Sequence, residues 1–285
     1  MDKPSLGKLY VVGTPIGNLG DITLRAVETL KRADRILAED TRRTRTLLNH
    51  LGITGKPLAS IEAHVSEARL RGLLDFLLDG DQLALVTDAG MPGVSDPGAK
   101  FVALARESEI PVEVVPGPSA LTAAIALCGL VEGPFYFAGF LPRQGSRRSR
   151  AIERIQQPGM AVVLFEAGNR TQETLKDVAV KQPERRAAVC RELTKLHEEV
   201  VVGNLSELAA QSREWRGEVV IVLADHAAAE NDETNAPDFD DAALTNELAS
   251  GKTVRDVLEA SGLTGRQRKA LYARLLELRG KLDER

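Results

Sequence analysis

The strongest constraint on this chain is a regular alternation in its first half. Apolar runs at 9–12 (LYVV), 35–40 (RILAED), 58–61 (LASI), 83–90 (LALVTDAG) and 112–117 (VEVVPG) alternate with segments of helical spacing such as TLRAVETLKRA and EARLRGLLDFLLDG. A strand that is apolar along its length needs cover on both faces, and a helix between successive strands supplies it. Strand, helix, strand repeated four times predicts a mostly parallel sheet with helices on both faces over residues 1–134. FYFAGFLPR (135–143) breaks the rhythm. A second set of apolar runs follows at 160–167, 186–193, 198–205 and 217–225. Some of its connections are too short for a crossover helix, so residues 135–225 are expected to form a second, mixed α/β domain.

After Asp225 the chain turns acidic and poor in large apolar residues (DHAAAENDETNAPDFDD). Residues 226–243 therefore read as a linker. Beyond them, residues 244–285 predict a small helical module of two helices parted by SGLTG. Lys252, Arg255, Arg266, Arg268, Lys269, Arg274 and Arg279 make it locally basic. Both a helical tail packed on the body and a contact with nucleic acid fit that pattern.

The 285 residues carry a formal net charge of −4. That argues against a cationic field over the whole molecule, but a local basic face suffices for phosphate binding. Cys128 and Cys190 lie in apolar surroundings without ligand spacing, and His50, His64, His197 and His226 are scattered, so no metal site is expected. The N-terminus does not read as a signal peptide, and no apolar run reaches the ~18 residues of a membrane span. The expectation is a cytoplasmic protein without membrane contact.

Ligands of parallel sheets bind beyond the carboxyl ends of the strands. Four loops expected at that edge are unusual: GTPIGN after the first strand, EDTRRTR (39–45) after the second, DAGMPGVSDPG (88–98) after the fourth and PGPSA (116–120) after the fifth. Any one could be an ordinary turn. Together they would line one crevice with exposed backbone and little side-chain bulk, suited to a ligand held by close main-chain approach. The dinucleotide fingerprint G-x-G-x-x-G, the P-loop and the G-x-S-x-G elbow are all absent; SGKT at 250–253 lacks the upstream glycine.

LYVVGTPIGNLGDITLRA, AEDTRRTRTLL, LVTDAGMPGVSDPG, VVPGPSALTAA and FAGFLPR, in that order, closely resemble the ribosomal RNA small-subunit methyltransferase I family of the tetrapyrrole methylase superfamily. The resemblance runs from about residue 8 to residue 225. It implies a two-domain α/β fold, a homodimer and S-adenosyl-L-methionine as cofactor in the cleft between domains. It also implies an enzyme that methylates the ribose 2′-hydroxyl of a cytidine in the decoding region of 16S ribosomal RNA, free or in the 30S particle. Two segments depart from the family pattern: FEAGNR (165–170) stands where YESPHR is common, and IEAHVSE (61–67) where HEHNE is common.

On that resemblance, Gly90, Met91, Pro92, Val94 and Ser95 are expected to hold the cofactor. Ser119 and Ala120 would cover another side, Pro15 would floor the cleft, and Phe140, Leu141, Phe165 and Glu166 would approach from the junction and second domain. A ribose hydroxyl needs a base to take its proton, and Glu39, Asp40, Asp88 and Asp96 are the carboxylates expected at the edge. Capping a helix or pairing with Arg42 or Arg43 would explain each of them equally well. Arg42, Arg43, Arg45, Arg143, Arg147, Arg148 and Arg150 are the expected RNA contacts, neutralising phosphates without reading bases. Two other readings stay open: a methyltransferase acting on a corrinoid or other tetrapyrrole, and a non-catalytic RNA-binding assembly factor.

Overall fold

In the computed structural model, which describes residues 6–62, 65–226, 239–263 and 265–283, the first five strands are β1 (Lys8–Val12), β2 (Arg35–Ala38), β3 (Leu58–Ser60), β4 (Gln82–Val86) and β5 (Val112–Val115). They pair in the order β3-β2-β4-β1-β5, every pair parallel. Helices α1 (Leu24–Arg32), α2 (Thr41–His50), α3 (Glu67–Leu78) and α4 (Ala99–Glu107) return the chain between strands. Thr23 and Ser66 start α1 and α3 by accepting backbone N–H groups of the first turn, as expected of N-cap residues.

Successive strand residues point to opposite faces, and the packing follows that period. Leu9, Leu37, Leu83 and Leu85 pack with Leu70, Leu73 and Leu77 of α3 and Phe101 of α4. Their neighbours Tyr10, Ile36, Ala38, Ala84 and Val86 pack with Ala26 and Leu30 of α1 and Leu48 of α2. Both faces are covered, so the continuous apolar runs are satisfied. The first crossovers build outward from β1 to β3, and the chain then comes back to insert β4 between β2 and β1. The four unusual loops therefore emerge at the carboxyl ends of β2, β4, β1 and β5, four neighbours in the sheet.

The second sheet comprises β6 (Phe135–Phe140), β7 (Ala161–Ala167), β8 (Arg186–Arg191), β9 (Glu199–Asn204) and β10 (Glu218–Leu223), in the order β6-β7-β10-β8-β9. β6 and β7 run parallel, joined by α6 (Gly145–Ile155); the remaining pairs are antiparallel. One face carries α6, α7 (Gly168–Ala179) and α8 (Leu205–Ala210) over a core that includes Leu164, Leu175, Val189, Trp215 and Ile221. The other face packs on α5 (Ala120–Cys128), where Ala124 and Cys128 meet Val163, Ala188, Cys190 and Val222. Helix α5 leaves the β5 loop yet buries itself on the second sheet, which couples the two sheets through shared apolar burial.

Residues Met1–Ala228 form one compact unit that holds both sheets, and Ala229–Arg285 a second. The second contains α9 (Asp241–Ala249), α10 (Val254–Ala260) and α11 (Gly265–Asp283) around Leu248, Val257, Leu258, Leu271, Leu275 and Leu278. The two helices expected on either side of SGLTG are α10 and α11, and α9 precedes them. Asp240 accepts the N–H groups of Ala242 and Ala243 and starts α9, so acidic residues that look like linker at 240–243 are a helix cap and first turn. Residues 227–238 of the expected linker lie outside the described residues. Lys252, Arg255 and Arg274 pair with Glu247, Glu259 and Asp241 inside the unit, so much of its basic character is spent internally.

Candidate functional site

The loops at the carboxyl edge are fastened to one another by main chain. Thr14 N–H donates to the Gly90 carbonyl at 2.9 Å and Gly90 N–H to the Thr14 carbonyl at 3.1 Å, while the Thr14 hydroxyl donates to the Thr87 carbonyl at 3.1 Å. Thr14 is buried, so these bonds form away from water. A Cβ at Gly13 would lie 2.6 Å from Met91 Sδ and 2.7 Å from Gly117 Cα, and one at Gly117 would lie 2.9 Å from Gly13 backbone. The glycine-rich opening of the β1 loop is thus required first by the neighbouring loops, which close on it without room for a methyl group. Gly17 does the same toward the second sheet, where a Cβ would meet Lys195 Cγ at 2.5 Å.

Above this floor lies a cleft of about 430 Å³ between the two sheets. Glu39, Asp88, Gly90, Met91, Val94 and Ser95 line it from the first sheet, with Ser119 and Ala120 at the start of α5. Phe140, Phe165, Glu166, Cys190, Leu193 and the stretch 217–220 line it from the second. Ser95 adopts φ +67, a left-handed conformation unusual for a residue with a side chain and of the kind concentrated at functional sites. Gly139 stands opposite, where a Cβ would be 3.2 Å from Ser95 Oγ.

One wall is acidic. Thr87 Oγ1 donates to Glu39 Oε2 at 2.8 Å, Asp40 N–H donates to Asp88 Oδ1 at 3.0 Å, and Arg43 pairs with Asp88 at 3.5 Å. Burial raises the Asp96 carboxyl to about 6; the nearby charges of Glu39 and Asp88 push the same way, against a hydrogen bond from Thr87. Burial also raises Asp88, opposed by the Asp40 N–H. A half-buried carboxyl poised near neutrality beside other carboxylates is a recognised mark of a working site. The negative wall also suits a cationic ligand group.

Most of the expected cofactor residues meet in this cleft: Gly90, Met91, Val94, Ser95, Ser119, Ala120, Phe140, Phe165 and Glu166. Three stand elsewhere. Pro15 is buried, and its neighbour Ile16 lines the cleft instead. Pro92 borders a small void with Ile61 and Leu85. Leu141 is in the second-domain core. The buried Glu166 accepts Ala167 N–H at 2.9 Å and Thr174 Oγ1–H at 2.7 Å and faces Arg170 at 3.5 Å, so its carboxylate also pins β7 to α7.

Two expectations are corrected. Asp40 is not placed to act as a base: it caps α2, accepting Arg42 N–H at 2.8 Å and the Arg42 guanidinium at 2.7 and 3.1 Å. Those bonds hold its carboxyl far below the usual carboxylate range. Arg148 is not free for RNA. It is buried, with its guanidinium donating to Asp177 at 2.7 Å, Thr174 Oγ1 at 3.1 Å and the Pro142 carbonyl at 3.3 Å. Arg42, Arg45, Arg143, Arg147 and Arg150 are exposed, and Arg43 enters the cleft wall. Sequence reasoning missed Ile16, Thr87, Cys190, Leu193 and residues 217–220. Those of the second sheet look like ordinary strand residues, and only the layering of one sheet over the other brings them to the cleft.

This sequence and fold have known counterparts. The sequence pattern of the Tetrapyrrole (Corrin/Porphyrin) Methylases matches residues 8–209. The "Ribosomal RNA small subunit methyltransferase I" of Thermotoga maritima is 44% identical over 221 residues, covering 77% of this chain and 99% of that one. The proteins of the same name from Mesorhizobium japonicum and Neisseria meningitidis serogroup A are 41% and 39% identical, covering 97% and 96% of this chain and 94% and 95% of theirs. Among solved structures, a diphthine synthase aligns with a TM-score of 0.60 at 18% identity, over 79% of this chain and 93% of that one. Uroporphyrin-III C-methyl transferase from Thermus thermophilus, complexed with S-adenyl homocysteine, aligns with a TM-score of 0.56 at 22% identity, over 76% of this chain and 97% of that one. The chain belongs to the tetrapyrrole methylase family and, within it, to the ribosomal RNA small subunit methyltransferase I family.

Two outcomes follow from the packing. Gly13→Ala forces the β1, β4 and β5 loops apart and is expected to cost about 1–3 kcal/mol of stability, together with cofactor affinity, as read by denaturant unfolding and calorimetry. Arg148→Ala leaves buried hydrogen-bond partners unmade and is expected to cost about 2 kcal/mol. Arg147→Ala, at an exposed position, should leave the thermal midpoint within a degree or so of wild type. Equal midpoints for the two arginine variants would contradict the structural role of Arg148.

Proposed function

We infer that the protein is an S-adenosylmethionine-dependent methyltransferase that modifies small-subunit ribosomal RNA, at the ribose 2′-hydroxyl of a cytidine in the decoding region. The observation that carries this reading is the acidic, main-chain-floored cleft, set in a chain whose relatives of matching length are named for ribosomal RNA methylation. The residues fit such a cofactor. The cleft volume lies in the range of small-molecule sites, its floor presents backbone rather than bulk, and its carboxylates favour a cation. When bound, S-adenosylmethionine supplies an electrophilic methyl carbon on a positively charged sulfur.

The protein's own contribution is mainly alignment, since displacement at carbon needs the acceptor oxygen held in line at near-attack distance. Gly90, Met91, Val94 and Ser95 would bind the donor from one side, and Ser119 and Ala120 from another. Asp96 is the best-poised proton acceptor, because its raised pKa lets it take a proton near neutral pH. Glu39 and Asp88 sustain that shift by their charge. Exposed Arg42, Arg45, Arg147 and Arg150 would neutralise RNA phosphates around the cleft mouth. The protein would act in the cytoplasm as a homodimer, on free RNA or the assembled subunit.

The decisive assay incubates the protein with methyl-labelled cofactor and small subunits lacking the modification, then maps the labelled nucleotide. Label on a cytidine ribose of the decoding region is expected; label on a base, or none, contradicts the reading. The pH dependence has a definite sign. A base must be ionised to accept a proton, so the methylation rate should rise through pH about 6 and level off above it. Asp96→Asn should slow methyl transfer by roughly 10²-fold or more and abolish that rise. A carboxyl whose folded value, about 6, exceeds its ordinary 3.8 costs stability only once ionised, so the cost grows between those values and persists above them. Asp96→Asn should therefore raise the thermal midpoint at pH 7 and leave it unchanged near pH 3.

A further inference from the structure

Beside the cleft lies a second hollow, about 550 Å³, lined by residues 140–143, 166–167 and 169–170. It shares Phe140, Glu166 and Ala167 with the cleft. Phe140 therefore stands on the partition between the two spaces. The residue is 59% exposed, and its ring is supported on one side by Phe165 at a centroid distance of 5.5 Å.

The strand that carries this ring is built to aim it there. β6 pairs regularly with β7 from Phe135 to Phe137, then slips by one residue, so that Gly139 pairs with Leu164 and Phe140 with Phe165. Without the slip, strict alternation would place Phe140 on the face of Tyr136 and Ala138, against the helix-covered core. The bulge, with Gly139 at φ +62, turns it to the cleft face shared by Phe137 and Phe165. Bulges re-aim side chains at functional sites. Leu141 then resumes the alternation and is buried in the core. Arg170 locks the strand end, donating to the Leu141 and Pro142 carbonyls at 3.1 and 3.2 Å. A large apolar ring turned out of the core, held rigidly and left uncovered is a platform.

We propose that Phe140 is the stacking platform for the nucleobase of the acceptor nucleotide, with Arg143 beside it neutralising that nucleotide's phosphate. The inference rests on the functional reading above and adds the acceptor side of the site. Charge differs between the two spaces: the wall of Glu39, Asp88 and Asp96 lies in the cleft and suits a cationic donor, whereas in the second hollow Arg170 is matched by Glu166 and Arg143 adds a further positive charge suited to an anionic nucleotide. Arg143 is exposed and makes no ion pair among the described residues. A ribose whose base lies on Phe140 would sit at the shared boundary, next to the cleft. Bases of RNA splayed from their stack are held on aromatic faces in this manner.

The test compares full-length wild type with Phe140→Ala, Phe140→Leu and Phe140→Trp for cofactor binding by calorimetry, RNA binding by titration and methylation of unmodified small subunits. The ring is exposed, so all three should fold, as thermal unfolding will check. Phe140→Ala and Phe140→Leu are expected to raise the KM for the RNA substrate roughly ten-fold or more, in line with the loss of one base–aromatic stack, with cofactor affinity within about two-fold of wild type. Phe140→Trp should keep activity, and its fluorescence should be quenched by RNA but not by cofactor alone. Lost cofactor affinity with an unchanged KM for RNA would make the ring part of the donor wall and overturn the proposal. Wild-type methylation undiminished in Phe140→Ala would overturn it too, leaving the functional reading intact. A wild type that binds cofactor yet methylates no small subunit would overturn both.

Discussion

The backbone bridge between Thr14 and Gly90, closed over the contact of Gly13 with Gly117, is the constraint on which the site depends. It ties the loops after β1, β4 and β5 into one surface by buried main-chain hydrogen bonds, and such bonds are costly to leave unmade once water is excluded. With the floor fixed, the β4 loop can hold Ser95 in a left-handed conformation, and Asp88 and Asp96 can be kept near Glu39 despite like charge. Loose loops would let these carboxylates move apart and resolvate. The same fastening delivers Ser119 and Ala120 to the cleft, because α5 starts at Ala120, three residues after Gly117, and is then drawn onto the second sheet.

The two sheets have complementary tasks. The first is parallel and covered on both faces, and the loops at its carboxyl ends line the cleft. The second is mixed and lends the cleft a largely apolar roof through Phe165, Cys190, Leu193 and Val220. Desolvation under that roof strengthens electrostatic interactions on the floor and lifts the Asp96 carboxyl toward neutrality. A methyl transfer gains from such a place, since it must hold two reactants in line and keep water from competing.

Much of the first unit was legible in the sequence because the signals were local. Nine of the ten described strands lie where apolar runs predict them, β6 within FYFAGFLPR being the tenth, and the first sheet follows from the strict alternation of strand and helix. Long-range contacts were not legible. Arg148 reads as one more residue of a basic run, yet it is the one turned inward to Asp177. Asp40 was read among the edge carboxylates, but its capping of α2 and grip on Arg42 hold it away from base chemistry. Helix α9 was hidden because its cap is acidic and its apolar residues are few, with a core that exists only once α10 and α11 fold against it. The slip in β6 left no trace beyond a glycine in FYFAGFLPR, though it decides which way Phe140 points.

The most direct test of the central claim is a crystal structure with S-adenosylhomocysteine, the demethylated form of the proposed donor. The ligand is expected to lie on residues 90–95 and 119–120, its sulfur toward the Asp88 and Asp96 wall, with the Thr14–Gly90 bridge intact. Density for the ligand outside the space between the two sheets, or a bridge that must open to admit it, would contradict the account.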